Sequence, residues 1–168
     1  RPFFLLAGVA GAVLPVVWVL VLGWAMAGPR SVPLTHWHAH EMFYGFGMAV
    51  LGGFLLTATK NWVQVRGHHW RALQFLVLAW ALERGALWWG GTWPRPLFLV
   101  ASQLFLGTLI VLLTWTLIRH RATDSYRDNV IFWAVLPMFV LAKAQLLGEG
   151  TFAVGGELTL GLFRMAFL

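Results

Sequence analysis

The chain has no cysteine. Disulfides and thiolate metal sites are therefore excluded, and imidazole and carboxylate remain as donors for a metal ion. Charge is also scarce. Asp, Glu, Lys and Arg make up 11% of the 168 residues, less than half the share of about 25% in a soluble domain. Acids are the rarest, 6 against 12 Lys and Arg. No Walker loop, dinucleotide fingerprint, nucleophile elbow or HExxH motif occurs, so no catalytic residue is assigned and enzyme status stays open. Nothing resembles a cleavable signal peptide, because the first apolar run is too long and has no cleavage site.

What the chain has in quantity is apolar surface. It is 60% hydrophobic, with a mean hydropathy of +0.74, the profile of a polytopic membrane protein. The formal net charge of +6 then belongs to membrane-facing loops, and no nucleic-acid partner is expected. Apolar runs fall at 3–27 (with Pro15 inside), 38–59, 72–90, 96–118, 129–147 (with Pro137 inside) and 152–168. Polar or Gly/Pro-rich segments at 28–37, 63–70, 90–94, 119–128 and 148–150 separate them. Runs near 20 residues suit helices, and a lipid environment admits only helices or closed barrels. The fold class predicted is all-α: a polytopic transmembrane bundle of about six helices. Residues 1–168 read as a single domain. A start at Arg1 and an end within an apolar run point to the N-terminal part of a longer chain.

Basic residues orient such a bundle. If the helices alternate, Arg1, Lys60, Arg66, Arg71, Arg119, Arg121 and Arg127 share one side, and only Arg30 and Arg95 fall on the other. The richer side is expected to be cytoplasmic. Many of the 11 Trp sit near helix ends, as an interfacial belt requires.

The densest chemistry lies at residues 36–53. His36, His38, His40 and Glu41 crowd the mouth of an apolar helix. Imidazole is the commonest biological metal ligand and also ligates haem iron. Spaced at i, i+2 and i+4, the three rings cannot share one helical face. His36 and His40 lie about 40° apart, with His38 roughly opposite. An extended segment would instead point all three to one side. The candidate metal ligands are His36, His38 and His40. Glu41 either orients an imidazole or simply favours a helix start. Tyr44, Gly45, Gly47, Gly52 and Gly53 line either a cofactor cavity or an ordinary small-residue helix contact. Glu83, Arg84 and Lys143 lie within apolar runs, where an unpaired charge costs about 3 kcal/mol. They mark internal ion pairs or functional contacts, Arg84 with another helix or with a haem propionate. The same charges and the proline kinks would also fit a transporter. His68, His69 and His120 read as loop residues, with lipid head groups as partners of the basic residues near them.

The core His38-Ala39-His40-Glu41-Met42-Phe43-Tyr44-Gly45-Phe46 resembles the NnrS family of bacterial membrane proteins. So do the opening Arg1-Pro2-Phe3-Phe4-Leu5-Leu6 and the run Gly53-Phe54-Leu55-Leu56-Thr57-Ala58 with Asn61-Trp62. Arg127-Asp128-Asn129 is similar to a later motif of the family. The likeness is most specific over residues 1–62 and covers about the first half of a typical member. The sequence departs from the family pattern in having Lys60 for Pro, Val63-Gln64 for Thr-Gly, and Glu83 for Gly.

The resemblance implies a multi-pass protein of the bacterial inner membrane containing haem b and copper; the basic residues put its N-terminus on the cytoplasmic side. It implies a role in the nitric-oxide response or denitrification. His38 and His40 carry over as the ligand positions of the shared core, and His36 lies just before it; Tyr44 and Arg84 are further cofactor-binding candidates from their chemistry alone. The partners expected are membrane lipid, a small diatomic ligand such as nitric oxide, and other membrane subunits. The rival reading is a non-catalytic integral subunit of a larger membrane complex.

Overall fold

The computed structural model describes residues 2–62, 70–119 and 132–147. Every regular element among them is helical, and the all-α bundle expected from hydropathy is what forms. Helix α1 is Pro2–Leu22. It stops short of the expected residue 27, because Trp24 adopts φ +58° directly after Gly23. Helix α2 is Leu34–His40, entered through Pro33. It runs without a break into a π-helical segment, Glu41–Gly47, and then into α3, Met48–Trp62. The second span thus begins four residues before the expected 38, and the HWHAH stretch is helical, not extended. Helix α4 is Trp70–Trp89, a 3-10 turn covers Gly90–Thr92, α5 is Arg95–Arg119 and α6 is Phe132–Leu147. The apolar stretch at 152–168 and the loop histidines His68, His69 and His120 lie outside the described residues.

Three of these helical runs are long and apolar enough to cross a membrane: Pro2–Leu22, Leu34–Thr59 and Arg95–Arg119. Val135–Leu147 is apolar but shorter. Helix α4 is 20 residues long, diluted by Arg71, Gln74, Glu83 and Arg84.

Helix α5 is the centre. Its buried residues, Phe98, Ala101, Ser102, Phe105, Leu106, Leu109, Leu113, Thr116 and Leu117, recur at three- and four-residue steps, the stripe of a helix packed along its length. Of these, Phe105, Leu106, Leu109 and Leu113 join Phe3, Tyr44, Met48, Leu55, Leu76, Leu136 and Phe139 in one core. A second cluster, Trp37, Ala86, Leu87 and Phe98 with Trp18 and Trp88 against it, fills the other end.

Glycines set the close approaches. A Cβ on Gly53 would lie 3.1 Å from Phe3 Cβ, and one on Gly11 would lie 3.1 Å from the Phe46 ring. Near the far end Trp18 stacks on Trp37, with ring centres 6.3 Å apart. These pairs fix α1 antiparallel to the second span. Gly52 faces α5, where an added Cβ would meet Leu109 at 3.2 Å. The groove of small residues is therefore filled by neighbouring helices, which is the helix-packing reading of Gly45, Gly52 and Gly53. Most of α1 stays outside the core; Leu5, Val16 and Val19 are exposed, as suits a lipid-facing surface.

This packing makes Gly52 and Gly8 behave differently. Gly52→Leu is expected to destabilise the bundle by about 1–3 kcal/mol through overpacking against Leu109. Gly8, with nothing within 4 Å of a built Cβ, should accept Leu with little change. Thermal unfolding of the two detergent-solubilised variants checks the contrast.

Candidate functional site

Helix α2 divides the three histidines. His36 and His40 occupy one side, four residues apart, and His38 the other. The His38 ring stacks on Trp18 of α1, centre to centre 3.9 Å. Among the described residues, no group of three His, Cys, Asp or Glu side chains is placed to hold a metal ion. His36 and His38 are half-buried, and His40 is fully buried.

His40 lies six residues into the second span, about 9 Å along the helix. Its Nδ1 lies 3.2 Å from Glu41 Oε1. Its Nε2 lies 2.7 Å from Glu83 Oε1 on α4, a buried ion-pair contact, and Glu83 Oε2 lies 3.5 Å from Arg84 Nη1. Lys143 on α6 ion-pairs with the same Glu83 oxygen. Arg84 closes the set from α4. Its Nε donates to Glu41 Oε2 at 3.2 Å, its Nη1 donates to the Trp80 carbonyl at 2.9 Å, and its guanidinium lies 4.2 Å above the Trp80 ring. Nη2 is buried without a hydrogen-bond partner. Glu41, Glu83 and Lys143 are 0–1% exposed.

The two carboxylates and the two cations balance in charge. That balance is the condition for placing them in an apolar bundle, since each ion alone would carry a desolvation cost of several kcal/mol. The ions come from three separate stretches, so pairing them fixes α4 and α6 against the start of the second span.

The π-helical segment gives this geometry its reach. Met48 N–H bonds Phe43 O, a five-residue step. Extra winding at such a bulge frees carbonyls that need partners, and Trp80 Nε1 donates to Gly45 O at 3.0 Å. Gly45 is needed where it stands. A Cβ there would run into the Glu41 carboxylate and approach Arg84 Nη2 to 2.9 Å. Tyr44 is buried beside His40, with ring centres 5.4 Å apart. Its hydroxyl donates to Phe139 O at 3.0 Å, and Lys143 Nζ lies 5.2 Å from its ring centre.

Sequence reasoning named each of these ions yet left Glu83 and Lys143 unconnected to His40. The signal available was their opposite sign at similar depth: Glu83 is six residues before the end of α4, and Lys143 four before the end of α6. The ion-pair reading of Arg84 holds, through Glu41. Trp80 carried no signal, because one Trp among many apolar neighbours looks like any other.

A family model described as NnrS protein matches residues 1–168. No curated protein and no solved structure matches.

The ion set yields a thermodynamic prediction. Glu83→Gln strips Lys143 of its counter-charge and should cost about 3–5 kcal/mol, as should Lys143→Met for the converse reason. Combining the two should cost much less than the sum of the single changes. A double-mutant cycle of thermal stability in detergent checks it.

Proposed function

We propose, because this chain belongs to the NnrS family and buries an imidazole between two carboxylates, that it is a haem- and copper-binding membrane protein of the bacterial nitric-oxide response. It would lie in the inner membrane, with its basic, N-terminal side in the cytoplasm and His40 toward the outer face. The observation that carries this reading is His40, fully buried with a carboxylate oxygen at each ring nitrogen, Glu41 at Nδ1 and Glu83 at Nε2.

The donor set fits the implied groups. Imidazole nitrogen and carboxylate oxygen suit copper and iron, and a histidine is a common axial ligand of haem. His40 would offer Nε2, while Glu41 accepts the Nδ1 proton and fixes tautomer and ring direction, the usual arrangement around a metal-bound imidazole. Arg84 holds Glu41 in turn, and its Nη2 is the donor available to an anionic group such as a propionate. Glu83 Oε1, the counter-ion of Lys143, is the carboxylate oxygen nearest Nε2. His38, stacked on Trp18, remains the candidate ligand on the opposite side of α2, and His36 the candidate one turn before His40. Tyr44 walls the His40 side. When bound, haem iron or copper would supply a one-electron centre able to take up a diatomic such as nitric oxide. The residues themselves orient the ligand ring, keep water out and hold the surrounding charge at zero.

The separation of His38 from His40 favours one alternative: a non-catalytic subunit of a larger membrane complex, with His40 serving only the ion network. The two readings part in one experiment. The full-length protein, purified in detergent, is expected to carry haem absorbance and copper. His40→Ala should lower the content of at least one of them tenfold or more, and Glu41→Gln should weaken the same one by about 10–100-fold. Far-UV circular dichroism verifies that each variant stays helical. Metal and haem contents that survive both changes, or a native protein that carries neither, would sink the proposal.

A further inference from the structure

Away from the ion network, a groove of about 420 Å³ opens on the opposite, basic side of the bundle. It is lined by Pro2 of α1 and by Trp70, Leu73, Gln74, Val77 and Leu78 of α4. The α4 residues recur at i, i+3, i+4, i+7 and i+8, one continuous face of the helix. From Trp70 to Leu78 the groove runs about 12 Å, close to the depth of about 15 Å of one leaflet's hydrocarbon. A helix of that length, about 10 Å across, would need on the order of 900 Å³. The groove is too small for one and suits a single acyl chain.

Apolar and amphipathic side chains both line it. Leu73 and Val77 are half-buried and Leu78 is exposed. Trp70, in the first turn of α4, has the amphipathic ring that favours the interface. Gln74 is exposed and offers an amide to an ester or glycerol oxygen. Arg71, also exposed, stands three residues before Gln74 on the same helical side. It faces the end of the bundle where the sequence concentrates its basic residues.

We propose that this groove binds one anionic phospholipid, its acyl chain along Leu73, Val77 and Leu78 and its phosphate at Arg71. A basic side chain at the surface is worth about fivefold in affinity for an anionic head group.

The test is native mass spectrometry of the full chain, extracted from membranes holding equal phosphatidylglycerol and phosphatidylcholine. The native chain should retain phosphatidylglycerol about fivefold over phosphatidylcholine. Arg71→Gln should abolish that preference. Leu73→Trp, which fills the groove, should lower retention of both lipids, and Val77→Phe gives a milder version should the first variant lose helical content. Val16→Trp on the exposed face of α1 should change neither. Equal retention of the two lipids by the native chain, or a preference unaltered by Arg71→Gln, would overturn the head-group assignment. Retention unaffected by Leu73→Trp and Val77→Phe in helical protein would overturn the groove as the site.

Discussion

An ion in hydrocarbon must find its opposite, and that constraint organises this bundle. Glu83 takes Lys143 from α6 and lies against His40 from the second span; Arg84, its neighbour in sequence, takes Glu41. Apolar packing alone would tolerate many rotations and slides of these helices, because lipid tails are as apolar as leucine. Buried ions do not tolerate them. Moving α6 by one turn would carry Lys143 about 5 Å from its partner and strand two charges. Specificity of arrangement, more than net stabilisation, is what such a set supplies.

The backbone is shaped to serve this set. Ordinary α-helical winding from Leu34 to Trp62 would leave no reason for Trp80 to reach across to Gly45. The π-helical stretch shifts the phase between the histidines above it and the small residues below it. Gly52 then faces α5, while His40 and Glu41 face α4. Gly45 is the point where the two demands meet, with Glu41 and Arg84 occupying the space of a side chain. Bulges of this kind cluster at functional sites, and here the bulge directly follows the imidazole proposed to bind a metal.

Much of this was legible in the sequence, and for clear reasons. Span positions follow from apolar runs such as 96–118, which becomes Arg95–Arg119, because lipid allows few alternatives. The division of the histidines was one of two readings left open by their i, i+2, i+4 spacing, and helical winding from Leu34 selects it. The end of α1 at Leu22 was not legible, since the residues beyond it are as apolar as those before; a left-handed Trp24 breaks the helix where hydropathy shows nothing. Nor was the π-helical segment, which depends on Trp80 being at hand 35 residues later. Glu83 is the instructive case. It stands where the family resemblance led one to expect Gly, and so looked like a local departure. In the folded chain it is the hub, and Lys143, on a helix 60 residues on, is its counterpart.

Lys60 and Lys143 are the only lysines of the chain, which permits a direct measurement. In membranes containing the protein labelled with ¹⁵Nζ-lysine and ¹³Cδ-glutamate, solid-state rotational-echo double resonance reads the dipolar coupling between ammonium nitrogen and carboxylate carbon. The account predicts one strongly coupled lysine, whose coupling disappears in Glu83→Gln. No strongly coupled lysine in the native protein, or a coupling that survives that substitution, would contradict it.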